Sequence, residues 1–336
     1  MAKIISMFNH KGGVSKTTST YHLGWMLANM GNKVILIDAD SQCNLTNIVL
    51  GDDGFEEYYA NDGANLKSAI APVFENEPVP IQAFECLQVK TNENLLLIPG
   101  SFELSEYEVS LAVSFTMSES FSAVKNLPGS LFKLMETTAL RYEADYILVD
   151  LNPSLSAFNQ LFICSSDYFI VPASPDKFSI LALRSLANIL PKWESWAIRA
   201  REAFSNVTYP LPDKKPKFLG TIMQRFNIRS GRPTQANQRV IDQFDEVITA
   251  SFVPAMATKD MLLNSYEGIE NYSLGQVPDF QTLNAQYQQH GYPIFALTDE
   301  MFGVTGVVRD QYRDTRARFN TLYTNMATKI EQLTNA

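Results

Sequence analysis

Apolar runs of five or six residues recur along the chain, and most are apolar at nearly every position. They predict strands at 4–8, 33–38, 94–99, 146–150, 168–173, 218–223 and 292–297. The stretches between several of these runs predict helices at 16–30, 130–142, 180–201 and 235–250. Strands that are covered on both faces are apolar throughout, so the pattern predicts an α/β fold. We expect a single doubly wound, mostly parallel sheet flanked by helices.

Two segments stand apart from this alternation. Residues 307–333 contain neither Gly nor Pro and predict a long C-terminal helix, on which Arg309, Arg313 and Arg316 share a face. Residues 51–92 contain GDDGFEEYYANDG and ENEPVP, which predict an acidic surface insertion with one short helix. No linker separates two halves, so we expect residues 1–336 to form a single domain.

Composition narrows the class of protein. The chain is 46% apolar and 19% charged, has three scattered cysteines, and lacks both a signal-peptide pattern and an apolar run of about 18 residues. These features predict a cytoplasmic protein that does not bind membranes.

The net charge of −9 argues against a protein that coats nucleic acid by bulk charge alone. The charge is unevenly distributed, because residues 51–120 carry 13 acidic residues against two lysines. Seven basic residues and no acidic one lie between Lys214 and Arg239. That segment is either a solvated face with nearby carboxylates or a local anion-binding surface.

The stretch HKGGVSKTT follows the first predicted strand and opens the first predicted helix. A phosphate site needs converging backbone N–H groups, a helix N-terminus and a cation. Lys16 is expected to reach the β- and γ-phosphates, and the Thr17 hydroxyl to bind Mg²⁺. The phosphate-binding residues would be Lys11, Gly12, Gly13, Val14, Ser15, Lys16, Thr17 and Thr18.

Ser15 stands where a plain P-loop has glycine. If this position needs a positive φ, serine costs about 1 kcal/mol. If it does not, the hydroxyl adds a phosphate contact.

Two further predicted strands end in carboxylates, Asp38 with Asp40 in one and Asp150 in the other. The carboxyl ends of parallel strands share one edge of the sheet, where ligands bind in such folds. Asp150 is expected to hold Mg²⁺ through water, and Asp40 to orient the attacking water.

KGGVSKTT, DADSQCNLT (38–46) and YILVDLNPSL (146–155) resemble the nucleotide motifs of the ParA/MinD (Soj-like) family of deviant Walker A P-loop ATPases. That family's patterns are close to KGGxGKTT, DxDxQxNxT and DxPPSL. LLLIPGSFELSEYE, FIVPASPDKFSILAL, LGTIMQRFNIR and HGYPIFAL extend the similarity over most of the chain. Ser15, Ser41 and Asn152 depart from the patterns, and Ser41 and Asn152 lie on loops that respond to the γ-phosphate in the family.

The resemblance implies ATP and Mg²⁺ as cofactors. Lys11 resembles the family's lysine that crosses an ATP-bound dimer to the partner's phosphates. Catalytic roles carry over to Lys11, Lys16 and Asp40, and outer-shell metal roles to Asp38 and Asp150. The segments at Gln224, Arg225 and Pro254 correspond to the family's adenine contacts.

The resemblance is closest to ParA-type partition ATPases. It implies an ATP-hydrolysing dimeric switch that binds nucleoid DNA without sequence preference. A ParB-like or other protein activator would stimulate its ATP hydrolysis. The candidate DNA contacts are Arg229, Arg232, Arg309, Arg313 and Arg316, although Asp310 and Asp314 could neutralise the last three.

One alternative is an ATP-dependent assembly or regulatory factor that docks a protein partner without DNA, and the net charge favours it. An ATP-dependent synthetase stays open as a second alternative. An iron–sulfur reductase is disfavoured, because Cys43 and Cys164 lie in the wrong contexts for a shared cluster.

Overall fold

The computed structural model describes residues 1–116, 124–229, 232–281, 283–302 and 306–335. Its strands are β1 (Lys3–Met7), β2 (Val34–Ala39), β3 (Leu87–Gln88), β4 (Leu95–Ile98), β5 (Tyr146–Leu151), β6 (Tyr168–Ala173), β7 (Lys217–Phe226), β8 (Ile228–Arg229), β9 (Arg232–Pro233) and β10 (Ser273–Pro278). Its α-helices are α1 (Lys16–Asn29), α2 (Asn44–Leu50), α3 (Asp52–Ala60), α4 (Leu66–Phe74), α5 (Glu108–Thr116), α6 (Leu127–Tyr142), α7 (Ala157–Ser165), α8 (Lys177–Ala203), α9 (Gln235–Val247), α10 (Val253–Ala257), α11 (Leu283–His290), α12 (Asp299–Phe302) and α13 (Gly306–Asn335).

One eight-stranded sheet organises the described residues, in the order β10-β7-β6-β1-β5-β2-β4-β3. Its neighbouring strands are parallel except β3 and β4, which are antiparallel. Strands β8 and β9 form a separate antiparallel ribbon. The predicted doubly wound, mostly parallel sheet is confirmed.

Helices cover both faces of the sheet. Along β2, Ile35 and Ile37 join an apolar cluster that includes residues of α6, α7 and α8. Val34 and Leu36 point to the opposite cluster, which contains residues of α1 and α13. Successive residues of a strand face opposite sides of the sheet, so β2 is buried on both of its faces.

The structure corrects two predictions about secondary structure. Residues 292–297 do not form a strand, since Pro293 precedes a 3₁₀ turn at Ile294–Ala296. The sheet's edge is instead β10, where Pro278 at the last position is tolerated because an edge strand can spare a donor. Residues 51–92 contain α3 and α4 instead of one short helix. Residues 117–120, the end of the acidic stretch, lie outside the described residues.

The long C-terminal helix is confirmed as α13, and His22 helps to join it to α1. The ring of His22 is fully buried and stacks on Tyr323 of α13, with 5.0 Å between ring centroids. Its Nδ1 lies 2.9 Å from the carbonyl oxygen of Thr18, and the N–H of Ile294 donates to Nε2 at 3.1 Å. The ring therefore connects the first helix to the C-terminal part of the fold. None of the helices in the described ranges has the length and apolar character needed to cross a bilayer.

Candidate nucleotide-binding site

The loop between β1 and α1 turns through two left-handed residues. Gly13 has φ 72° and Ser15 has φ 58°, so the positive φ considered for Ser15 is present. The Ser15 side chain makes no capping hydrogen bond at the start of α1. Serine in this conformation costs about 1 kcal/mol, and the first N–H groups of α1 are left without partners inside the helix. A helix N-terminus behind a tight loop is the arrangement that binds phosphate.

Lys16 begins α1 and is buried, with 7% of its surface exposed. Its Nζ donates to the carbonyl oxygen of Asn9 at 3.1 Å. Burial lowers the pKa of this ammonium, and the charges of Asp150 and Asp40 partly offset that effect. A buried cation bound mainly by carbonyl groups is suited to an incoming anion.

Asp38 and Asp150 are register partners on the adjacent strands β2 and β5, and Met7 of β1 pairs with Asp150 on the other side. The sheet thus brings together the two strand ends that the sequence predicted, directly beside the loop. Neither carboxylate oxygen of Asp150 has a hydrogen-bond partner among the described residues, although the residue is 1% exposed. Burial and then the charge of Asp38 raise the pKa of Asp150 to about 8, while the neighbouring Thr17 hydroxyl and the positive charge of Lys16 lower it.

These unpartnered oxygens fit a magnesium ion, which is bound by oxygen and keeps several waters. No group of three or more His, Cys, Asp or Glu side chains in the described ranges forms a metal site by itself. Magnesium would therefore depend on nucleotide phosphates together with Thr17 and Asp150.

Asp38 is held more firmly than Asp150. The backbone N–H and the hydroxyl of Thr46 donate to Asp38 Oδ2 at 2.8 and 2.7 Å. Burial still raises the pKa of Asp38, to about 6. A Cβ at Gly100 would lie 3.0 Å from Asp38 Cγ, so the glycine is needed for this close approach. Asp40 accepts from the N–H of Gln42 at 3.0 Å and lines the cavity described below.

Lys11 lies outside this buried group. Its Nζ forms an ion pair with Asp176 and donates to the Ser179 hydroxyl at 3.2 Å. Asp176 also caps α8 by accepting from the N–H groups of Phe178 and Ser179. Partial burial raises the pKa of Asp176, but the hydrogen bond from Lys11 and those from the helix hold it below its usual range.

A cavity of about 1140 Å³ opens above the loop. Its walls are the start of α1, residues 40–54, and residues 278–281 with 284–289. Gln224 and Arg225 line it as predicted, and Arg225 donates to the carbonyl oxygen of Gly13 at 3.2 Å. Pro254 does not line it. That residue lies in α10, which packs against α8, so the structure does not bring it to the predicted adenine site.

The wall at 278–289 was missed by the sequence reasoning. Tyr287 shares a hydrogen bond with the Thr18 hydroxyl at 3.2 Å, and Asp279 lies 4.0 Å from Arg225. The available signal was the short strand SLGQVP followed by the turn residues DFQ, but Gly275 and Pro278 obscure the strand pattern.

With this geometry established, comparison with known proteins identifies the family. A family model described as AAA domain (AAA_31) matches residues 2–197, which include the loop, Asp38, Asp150 and Asp176. That is more than half of the chain. The chain belongs to this family. It is a ParA/MinD-like P-loop ATPase, as its motifs and sheet predicted.

Two relatives and one solved structure illustrate the similarity. The chain is 28% identical over 188 residues to the sporulation initiation inhibitor protein Soj of Bacillus subtilis, covering 56% of this chain and 64% of Soj. It is 24% identical over 225 residues to the chromosome-partitioning ATPase Soj of Treponema pallidum, covering 67% of this chain and 78% of that protein. A candidate plasmid partition protein of Borrelia burgdorferi B31, bound to AMPPNP, shares the fold with a TM-score of 0.57 at 21% identity, covering 99% of each chain.

Proposed function

We propose that this P-loop ATPase is a ParA-like switch that binds ATP with Mg²⁺, forms a dimer around two nucleotides and hydrolyses them slowly until a protein partner stimulates it. The observation that carries the proposal is the pair of lysines around Gly12 and Gly13, set beside a buried Asp150 with unpartnered oxygens. The AMPPNP in the Borrelia protein supports nucleotide binding in a chain of the same fold.

Each side chain has a proposed role. Backbone N–H groups from Gly12 to Thr18 hold the phosphates, and Lys16 neutralises the β- and γ-phosphate charge. Thr17 contacts Mg²⁺, while Asp38 and Asp150 act from its outer shell. Asp40 orients the attacking water. Gln224 and Arg225 remain the proposed adenine contacts.

Lys11 is proposed to act in the second copy's site, where its charge stabilises the transferring phosphoryl group. It must first leave Asp176 and Ser179 of its own chain. The side chain of Lys11 is partly exposed, at 19%, whereas Lys16 is buried, so Lys11 is the lysine with access to a second copy.

Lys11→Ala tests the proposal. ATP affinity should change by no more than about twofold, whereas partner-independent turnover should fall by about 100-fold or more, as for a lost transition-state cation. Turnover is measured by phosphate release, and the dimer by light scattering with ATP and with ADP. Lys192→Ala, at an exposed lysine of α8, is the matched control. Undiminished turnover in Lys11→Ala would refute the role in the second copy.

DNA binding is proposed for the exposed arginines Arg229 and Arg232 on the β8–β9 ribbon, which form no ion pair with another described residue. The arginines of α13 are less suited. Arg313 and Arg316 both pair with Asp299, and Arg309 lies 3.8 Å from Asp310.

That pairing, with the net charge of −9, favours the alternative function, an ATP-dependent assembly factor that docks a protein without DNA. DNA retention measured with ATP, ADP and no nucleotide at two salt concentrations separates the two functions. ATP-dependent, salt-sensitive retention that is lost in Arg229→Ala/Arg232→Ala supports the partition switch. Dimers that form with ATP but do not retain DNA support the assembly factor.

A further inference from the structure

The loop that follows Asp150 lies against the phosphate-binding loop. It runs from Asn152 to Ser156, between β5 and α7. Pro153 lines the nucleotide cavity, and a Cβ added to Gly12 would lie 4.0 Å from Pro153 Cβ. The loop therefore lies beside the nucleotide cavity and is joined to Asp150 through Leu151, the last residue of β5.

The side chain of Asn159, on the first turn of α7, holds the first half of this loop, from Asn152 to Ser154. Its Nδ2 donates to the carbonyl oxygen of Asn152 at 2.9 Å, to Asn152 Oδ1 at 3.0 Å and to the carbonyl oxygen of Ser154 at 2.7 Å. An amide nitrogen has two hydrogens, so the three oxygens share them. The Ser154 hydroxyl donates to Asn152 Oδ1 as well. Asn159 is fully buried, which strengthens these contacts.

The helix that carries Asn159 is itself anchored. Ser156 Oγ accepts from the N–H of Asn159 at 3.1 Å. The carboxylate of Glu108, on α5, accepts from the N–H of Ala157 and, at 3.3 Å, from that of Phe158. A carboxylate at a helix N-terminus is favourable for both the free N–H groups and the helix dipole. The backbone that carries the Asn159 carboxamide is therefore held in place at the start of α7.

Asn152 occupies the position at which the family pattern DxPPSL has its first proline. Proline fixes its own φ, whereas asparagine leaves that torsion free. In this chain the lost restraint is replaced by hydrogen bonds from Asn159 to the backbone and side chain of Asn152.

We propose that Asn159 is a positioning residue for ATP hydrolysis, whose carboxamide holds loop 152–154 so that Pro153 stays against the phosphate-binding loop and Asp150 keeps its place beside Thr17. This inference rests on the proposed ATPase function. Asn159 touches neither nucleotide nor metal and acts through the loop.

Asn159→Asp is the principal test, because aspartate has nearly the same shape but cannot donate to the three oxygens when ionised. We expect kcat to fall about tenfold, as for a modest misplacement of reacting groups, while the Kd of ATP stays within about twofold. Amide hydrogen exchange at residues 154–158 without nucleotide should become faster. Asn188→Asp, at an exposed asparagine of α8 that bonds the Arg184 carbonyl oxygen at 3.0 Å, should change none of these quantities.

Asn152→Ala provides a second variant, at a half-buried site that tolerates truncation. It removes only the Oδ1 acceptor, so kcat should fall less than in Asn159→Asp, and Asn152→Ala/Asn159→Asp should be no slower than Asn159→Asp alone. The inference would be overturned by additive losses in the double variant. It would also be overturned if Asn159→Asp left kcat unchanged, lost ATP binding or left amide exchange at residues 154–158 unchanged. Absence of ATP turnover in the unmodified protein would instead refute the proposed function. The amide-exchange measurement needs no nucleotide, so it would still show whether Asn159 restrains the loop.

Discussion

The nucleotide site contains two groups of residues that differ in how their charge and strain are compensated. The buried group consists of Lys16, Asp38 and Asp150, each less than a tenth exposed. The outer group consists of Lys11, Ser15 and Arg225, which are half-buried or exposed. Asp150 has no hydrogen-bond partner among the described residues, whereas Lys11 pairs with Asp176 and Arg225 donates to Gly13.

The difference indicates that the buried group, more than the outer group, lowers the stability of the ligand-free protein. Burying carboxylates without full pairing is costly, and their raised pKa values are the measure of that cost. The outer group instead imposes the left-handed backbones of Ser15 and Arg225, with φ of 58° at each. Variants in the buried group should therefore alter both stability and turnover, and those in the outer group should leave stability nearly unchanged.

The largest effect is expected for Asp150→Asn. The nucleotide-free protein should gain roughly 1–3 kcal/mol at neutral pH, because folding must protonate Asp150, which is ionised in the unfolded chain, whereas an amide is neutral in both states. Turnover with Mg²⁺ should fall by about 100-fold or more, since a group that fixes transition-state charge is lost. Urea denaturation and phosphate release measure the two effects. Asp145→Asn, at the exposed residue just before the same strand, should show neither effect. A loss of stability in Asp150→Asn would contradict the comparison.

The second largest effect is expected in how the free energy of unfolding depends on pH. Burial lowers the pKa of His22 to about 3, so the unfolded chain binds the extra proton first and stability falls as pH drops below about 6.5. Asp150, with its pKa raised to about 8, has the opposite sign: the folded protein holds the proton between about 3.8 and 8, and stability falls as pH rises. The contributions of His22 and Asp150 nearly cancel between pH 4 and 6.5. Asp38, with its pKa raised to about 6, adds a loss of stability as pH rises from about 3.8 to 6, and it does so equally in the unmodified protein and in Asp150→Asn.

Asp150→Asn removes one of these opposing contributions. Its stability should therefore decline more steeply on acidification below pH 6.5 than that of the unmodified protein, by up to about 1.4 kcal/mol per pH unit. Denaturation curves at half-unit pH steps measure the slopes. Equal slopes for the two proteins would show that Asp150 is ionised in the folded state at these pH values.

The smallest effect is expected for Ser15→Gly in the outer group. Glycine relieves the left-handed strain of about 1 kcal/mol but adds freedom to the unfolded chain, leaving a net gain of about 0.5 kcal/mol. Ser15→Ala keeps the strain and removes only the hydroxyl, so its stability should match that of the unmodified protein. Urea denaturation of the three proteins distinguishes the backbone effect from the side-chain effect, and a larger gain in Ser15→Ala than in Ser15→Gly would exclude strain as the cause.

The residues explain which parts of the molecule could be predicted. Strands β1, β2, β5 and β6 are uniformly apolar, so their type and the edge that joins Asp38 to Asp150 followed directly from the sequence. Strand β10 did not, because Gly275 interrupts it. A Cβ at Gly275 would come within 2.6 Å of the Met326 side chain on α13, so a larger residue would displace a side chain that is distant in sequence.

The candidate site shows the same division. The strand ends are local motifs, and the sheet places Asp38 and Asp150 side by side, with the end of β1 next to Asp150. The wall at 278–289 and the pairing of Lys11 with Asp176 depend on chain segments brought together only by folding. The two arginines of α13 that pair with Asp299 likewise share a helical face in the sequence, but its neutralisation by a residue outside α13 does not follow from spacing.

The ring of His22 offers a way to observe the site without altering it. Both nitrogens are engaged, so the imidazole should stay a single neutral tautomer over an unusually wide pH range. The chain has three histidines, which makes its nitrogen resonances simple to assign by magnetic resonance. Because one bond leads to the helix behind the phosphates and the other to Ile294, a chemical-shift change on adding nucleotide would report that the C-terminal segment senses the ligand.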